Sequence, residues 1–421
     1  MLMKETVVRF EPVEMELTDI EVHGDVSAAV DVSGPDSVLN RAVRPIRQGE
    51  VVGRLAHSRL FVRQDQDIDA VASAINKAPA LYAIGVVDES GTPVGIVLRR
   101  ELFEVLGRPY GRELFKKKPV STVMKASPVF RDDLNILSVA ETLKEEVRGI
   151  DDTYYLLVDA TGAFSGVFST KNILVYLSDT TARDIALARR LQSAIVHESY
   201  SLNDPRCSLL CFSKMAKEVG GDFYLVKRLP SDRLLLCMCD VSGKGIAASL
   251  VTAVLGGIFD TYTGTKRLDS FLEGVNRYMF ETFRLEYFVT GIFVELDLAT
   301  GSAIVCDMGH SYVLAMEGTT LFHLGRKGAN PPLGVVPDLL PRLSGYRFPA
   351  GGRALLFTDG VVEQTNREGQ EYSERRLWQL MKSTASRPPT ALRDALSADF
   401  EAFRGQEPQG DDVTFMILQM P

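Results

Sequence analysis

Residues 233–250 read RLLLCMCDVSGKGIAASL, and this stretch decides the fold. Arg233 to Cys239 is a continuous apolar run of strand length, the pattern of a strand buried on both faces. It delivers Asp240 at its end. Gly243 and Gly245 then open a turn, and Ile246 to Phe259 is an Ala/Leu-rich run that predicts a helix. The same grammar recurs outward along the chain. Ala354 to Phe357 is a second apolar strand and delivers Asp359 within Thr358-Asp359-Gly360. Val413 to Leu418 is a third, directly after Gly410-Asp411-Asp412. A fourth acidic cluster is Gly220-Gly221-Asp222-Phe223-Tyr224.

One Asp-Gly pair is first of all a turn signal. Four acids delivered by strand ends are a different matter. Carboxylates are the ligands that hard divalent cations take, and neighbouring glycines let backbone, water and substrate approach closely. Two such ions side by side make a centre for phosphate cleavage.

The order of these clusters and their flanks carry a family resemblance. VGGDFY at 219–224, CDVSGKGIAASL at 239–250, FVTGIFVELDLATG at 288–301, MGH at 308–310, PPLGV at 331–335, LLFTDGVVEQTNREGQEYSERRL at 355–377 and GDDVTFMIL at 410–418 resemble the SpoIIE/RsbU-like branch of the PPM (protein phosphatase 2C-like) serine/threonine phosphatases. The resemblance spans about residues 180 to 420. It implies two packed antiparallel sheets flanked by helices, with two Mn²⁺ or Mg²⁺ ions in a channel at one end. It further implies that Asp240 bridges both ions, that Val241 offers a backbone carbonyl, and that Asp359 and Asp411 bind the first ion. Asp222 is an acid beside the centre, a direct or water-mediated ligand. Asp412 stands next to Asp411 and is an alternative or supporting ligand. The implied catalytic set is Asp240, Asp359 and Asp411, acting on phosphoserine or phosphothreonine through a metal-activated water. His310 reads as a structural residue bonding backbone groups, with acid catalysis as the alternative. Lys244 reads as a solvated lysine, with a phosphate contact as the alternative. Arg206 and Arg228 are weak candidates for the phosphate-binding arginine of eukaryotic relatives. Met308, Ser311, Tyr312 and Leu225 depart from the commoner family pattern, and none of these changes removes a ligand.

The N-terminal half contains a duplication. Asp88, Gly91 and Gly95 recur as Asp159, Gly162 and Gly166, each 71 residues later, and the run from Asp65 to Ile75 recurs from Asp133 to Leu143. Three extra residues near Glu146 to Asp152 account for the differing offsets. Each copy reads as strand, helix, strand, tight turn, strand, helix. The pair resembles a tandem cystathionine-β-synthase (CBS) module, which implies an adenosine nucleotide between the motifs or, alternatively, a module that only dimerises. Glu101 and Asn172 stand where the ribose-binding Asp would be, and Ser169 and Thr170 are further candidate contacts.

The expected class is α+β: a C-terminal α-β-β-α sandwich of PPM type, preceded by an α/β CBS-pair domain and a connecting helix. The expected boundaries are a lead-in over 1–50, with a strand over 6–10 and a turn at Gly34-Pro35-Asp36, then the CBS-like module over 51–177. A linker helix over 178–200, capped by Asp179 or Thr180 and running to about His197, precedes the phosphatase domain over 201–421. A formal net charge of −8 and the lack of a basic stripe argue against a nucleic-acid partner. No apolar run reaches membrane-spanning length and no signal peptide is seen, so a cytoplasmic protein is expected. None of the five cysteines forms a Cys-x-x-Cys pair, so they read as reduced core residues. By resemblance the partner is a phosphorylated STAS-type anti-anti-sigma protein in partner-switching signalling, and the chain is a homodimer. The alternative is a non-catalytic scaffold that binds partners and a nucleotide.

Overall fold

The computed structural model of the chain describes residues 25–30, 37–43, 49–147, 152–325 and 328–421. The strand expected over 6–10 and the turn at Gly34-Pro35-Asp36 lie outside these residues, as do most of the extra residues near Glu146 to Asp152. The chain divides into two compact units, residues 1–181 and 182–421.

In the first unit the duplication is visible hydrogen bond by hydrogen bond. Leu60–Arg63, Ala83–Val87 and Pro93–Leu98 form one sheet, parallel then antiparallel, and Val129–Arg131, Tyr154–Val158 and Phe164–Ser169 repeat it. Even the register shift recurs, between Val86 and Val87 and again between Leu157 and Val158. Asp88 accepts from the amides of Ser90 and Thr92, and Asp159 accepts from those of Thr161 and Ala163. Gly91 and Gly162 hold φ of 83° and 84° in these turns, a conformation that a Cβ penalises. Part of the lead-in joins this unit: Asn40–Arg41 adds a strand beside Leu60–Arg63.

The two expected helices around residue 177 are one. Helix Thr170–Ser193 runs unbroken and stops four residues short of His197. No Gly or Pro interrupts 170–193, so the i to i−4 ladder continues through Ser178-Asp179-Thr180. Such residues cost only tenths of a kcal/mol inside a helix, roughly, and act as caps only where the backbone already turns. The division between the two units falls inside this helix.

The second unit is a sandwich of two antiparallel sheets. One has the order Asp222–Leu229, Arg233–Val241, Val289–Asp297, Ser302–Met308, Ser344–Arg347. The other has the order Thr320–His323, Val313–Glu317, Arg353–Phe357, Val413–Gln419, Cys207–Lys214, Ser199–Asp204. Period-two alternation sorts the second sheet's residues. Leu209, Cys211, Ala354, Leu356, Met416 and Leu418 join the core shared with the first sheet and with helices Ile246–Asp260 and Leu268–Phe283. Leu210, Leu355, Phe357, Phe415 and Ile417 face a second core under helices Ser373–Ser383 and Pro389–Arg404. The result is the helix-sheet-sheet-helix architecture read from the sequence. All five cysteines are buried and free, and burial raises their thiol pKa values. Among the described residues, no helix is long and apolar enough to cross a membrane.

Candidate metal centre

Strand pairing brings the acids together. Asp222 and Asp240 are directly opposite on adjacent strands, and Asp240 is opposite Thr290 on the next. Asp359 begins the short helix after strand Arg353–Phe357, and Asp411 and Asp412 precede the strand paired with it. A cavity of about 340 Å³ is lined by Asp240, Asp359, Thr290, Gly309, His310, Ser311 and Tyr312.

The acids do different work. Asp412 is buried, and its carboxylate accepts from the amides of Ala216 and Gly221, with a longer bond from Asp222. It ties three segments into one floor. Gly360 lies so close to the Asp412 carbonyl that a side chain at 360 has no room. Asp222 is also buried, and it accepts a 2.8 Å hydrogen bond from the Thr358 hydroxyl. Asp411 is partly exposed and pairs with Lys244 at 2.8 Å. Lys244 also donates to the carbonyl of Gly410.

Burial, then repulsion from Asp359, Asp411 and Asp412, pushes the Asp240 carboxyl up to about 7. Asp359 is raised by burial, then by Glu363 and Asp411. Asp222 is raised well above the carboxylate range by burial, then by Asp240 and Asp412. As placed, no three His, Cys, Asp or Glu side chains among the described residues are drawn tightly enough together to grip one ion. The donor chemistry nevertheless fits hard divalent cations. The space where Gly221 lacks a Cβ faces the Val241 carbonyl, an Asp240 carboxylate oxygen and the Gly243 carbonyl, at 2.6, 3.3 and 3.5 Å from that position. An all-oxygen cradle beside mutually repelling carboxylates is what Mg²⁺ or Mn²⁺ stabilises.

His310 is buried. Its Nε2 hydrogen bonds the Phe357 carbonyl at 2.9 Å and its Nδ1 sits 3.3 Å from the Thr290 hydroxyl. The carbonyl can only accept, so Nε2 carries the proton and Nδ1 accepts from Thr290. Burial lowers the imidazole pKa to about 4, so the ring is neutral near pH 7. Arg206 and Arg228 do not line the cavity; both pair with Asp204. In the first unit, Ser169 and Asn172 bond one another and Thr170 donates to Asp152, while Glu101 pairs with Lys125.

Several supporting residues were not visible in the sequence. Gln192, near the end of helix Thr170–Ser193, donates to the Gly220 carbonyl at 2.7 Å and accepts from its amide at 3.1 Å. It also reaches Thr252 on helix Ile246–Asp260 at 3.2 Å. Thr358 and Thr290 are hydroxyl supports of the same kind. Their residue types are common, and their partners are far away in the chain.

Residues 230–421 match the family model for stage II sporulation protein E (SpoIIE), and residues 52–108 match that of the CBS domain. The chain is 24% identical over 246 residues to phosphoserine phosphatase RsbP of Bacillus subtilis, covering 57% of this chain and 58% of that protein. It is 21% identical over 231 residues to protein IcfG of Synechocystis, covering 48% of this chain and 36% of that protein. The chain thus spans about half the length of these relatives or less. The solved SiaA-PP2C domain of Pseudomonas aeruginosa superposes with a TM-score of 0.50 at 20% identity, covering 58% of this chain and 99% of that domain, a likeness of fold. Acid-bearing strand ends, sandwich and family matches converge on one resemblance: the C-terminal unit is similar to the SpoIIE family, and the N-terminal unit contains a stretch that matches the CBS domain.

Proposed function

We propose that the chain is a Mn²⁺- or Mg²⁺-dependent phosphatase that hydrolyses phosphoserine and phosphothreonine on a protein. The observation that carries this reading is the convergence of Asp240 and Asp359 on one cavity, with Asp411 close enough to repel both. Asp240, Asp359, Asp411 and the Val241 carbonyl would hold the ions, and Asp222 supports Asp240 from the neighbouring strand. Bound there, the ions supply charge neutralisation of the phosphate and generation of a nucleophile from water. Asp412 fixes the floor through its amide bonds. His310 orients Thr290 and the Phe357 carbonyl, and its depressed pKa makes it a poor proton donor at neutral pH. With Arg206 and Arg228 elsewhere, Lys244 is the cation nearest the acids for holding a phosphate oxygen.

The same family relationship makes a phosphorylated STAS-type protein in a partner-switching pathway the proposed substrate. The CBS module is the proposed regulator, binding an adenosine nucleotide or mediating homodimerisation. Regulation draws support from Gln192, which sits on the helix that begins at Thr170 and holds both backbone groups of Gly220, two residues before Asp222.

The test is hydrolysis of p-nitrophenyl phosphate by the full chain. Mn²⁺-dependent turnover is expected, and Asp240→Asn should lower it by at least about a hundredfold, the scale on which removing a key electrostatic group acts. Turnover that is independent of Mn²⁺ and intact in the variant would sink the proposal.

A further inference from the structure

Three hydroxyls sit inside the sandwich where a valine or an alanine would cost less. Thr414 lies in the apolar run Val413–Gln419, directly opposite Ser213 on strand Cys207–Lys214, and Thr358 follows strand Arg353–Phe357. All three are buried. Strand alternation puts Thr414 on the face of Met416 and Leu418, and Ser213 on the face of Leu209 and Cys211, which is the face packed against the first sheet. A buried hydroxyl costs free energy unless it is hydrogen bonded. Here the bonds run among the three residues and on to one acid of the opposite sheet.

What each partner can do fixes the direction of the bonds. The Thr414 amide donates to the Thr358 oxygen at 3.0 Å. The Thr358 proton goes to the Asp222 carboxylate at 2.8 Å, in preference to the Thr414 carbonyl at 3.4 Å. The Thr414 side chain also hydrogen bonds the Asp222 carboxyl. An ionised carboxylate only accepts, so Thr414 donates there, and its oxygen receives the Ser213 proton across 2.9 Å. The row therefore runs from Ser213 to Thr414 to Asp222, with Thr358 as a second donor to the same carboxylate. Its far end is anchored too: the Ser213 amide donates to the Glu198 carbonyl at 2.9 Å. Asp222 is directly opposite Asp240 within the first sheet, so these bonds cross the sandwich at its acid end. They fix which way the Asp222 carboxylate turns beside Asp240.

We propose that Thr358 and Thr414, the latter oriented by Ser213, are positioning residues that hold the Asp222 carboxylate across the sandwich in the place from which it supports Asp240 and the ions. The inference rests on the metal-dependent phosphatase reading and names what sets the grip of its acids. Neutral donors suit this task. They orient the carboxylate and leave its charge available, whereas a lysine or arginine in their place would compete with the cations for it.

Mn²⁺ binding to the full chain, first stripped with a chelator, is measured by calorimetry. Thr414→Val should weaken it about tenfold, the scale on which the outer partners of metal-binding carboxylates act. Thr414→Ser keeps the hydroxyl and should bind as the wild type does. Because Thr414→Val strands the Ser213 hydroxyl, the pair Ser213→Ala with Thr414→Val is measured beside it. Removing both partners leaves neither hydroxyl of that bond unpaired, so the pair should melt near the wild type and still bind Mn²⁺ weakly. In an Asp222→Ala background, Thr414→Val should cost no further affinity, because it acts through that acid. Affinity intact in both valine variants overturns the proposal. So does a loss in Thr414→Ser equal to that in Thr414→Val, or an equal loss with and without Asp222. A wild type that takes up no Mn²⁺ would instead count against the metal reading. Melting of the chelated protein then decides the hydroxyl row: the effects of Asp222→Ala and Thr414→Val should sum to less when combined, and strict additivity overturns it.

Discussion

Asp240 shows what the fold sacrifices at its site. Its carboxyl titrates near 7 in the folded chain against about 3.9 when unfolded. Between those values the folded state binds more protons, so the contribution of Asp240 to stability falls as pH rises from about 4 to about 7 and is absent above that. The difference is worth at most about 4 kcal/mol. Asp240→Asn should therefore raise the melting temperature of the metal-free protein at pH 8 more than at pH 5. Thermal denaturation with a chelator present checks this, and an equal effect at both pH values would refute it. His310 acts with the opposite sign: its folded pKa of about 4 lies below the ordinary 6.5, so it favours unfolding as pH falls through that window. Comparing wild type with Asp240→Asn at each pH cancels the histidine. At this scale the sequence was legible where residue type is restrictive. Four acids next to glycines or another acid, and Asp240 at the end of an apolar run, announced themselves. The division of labour among them did not, because it depends on which amides and hydroxyls lie nearby. The bonds of Asp412 to Ala216 and Gly221 span 196 and 191 residues.

Among elements, the strands were the most legible part. Arg233–Val241, Arg353–Phe357 and Val413–Gln419 lie within two residues of the apolar runs that predicted them, because a strand buried on both faces tolerates few polar residues. Helix Thr170–Ser193 was misread as two helices because capping residues occur at its middle. A cap acts only where the ladder already ends, and nothing in 170–193 ends it. Gln192 near the end of this helix ties the helix to the segment that carries Asp222. Removing its side chain leaves the buried amide and carbonyl of Gly220 without partners, a loss of about 1–3 kcal/mol. Gln192→Ala should accordingly lower the melting temperature and also weaken Mn²⁺ binding measured by calorimetry. Unchanged Mn²⁺ affinity would show that the contact only packs the helix.

For the whole molecule, the family relationship and the duplicated module lead us to expect a homodimer. Light scattering of the full chain at micromolar concentration should give twice the 46.4 kDa chain mass, and a monomer would remove dimerisation from the regulatory scheme. The duplication and the sandwich were legible, because each leaves a periodic signature in the chain. Substrate identity was not, since no periodic signature in the chain encodes it.

All five buried thiols lie between Cys207 and Cys306, and the N-terminal unit has none. Alkylation in native buffer is therefore a clock for the opening of the C-terminal sandwich, read without any signal from the N-terminal unit. A ligand of the CBS module that slowed or quickened this labelling would report communication between the halves in the unmodified protein, with no dye attached and no enzymatic turnover required.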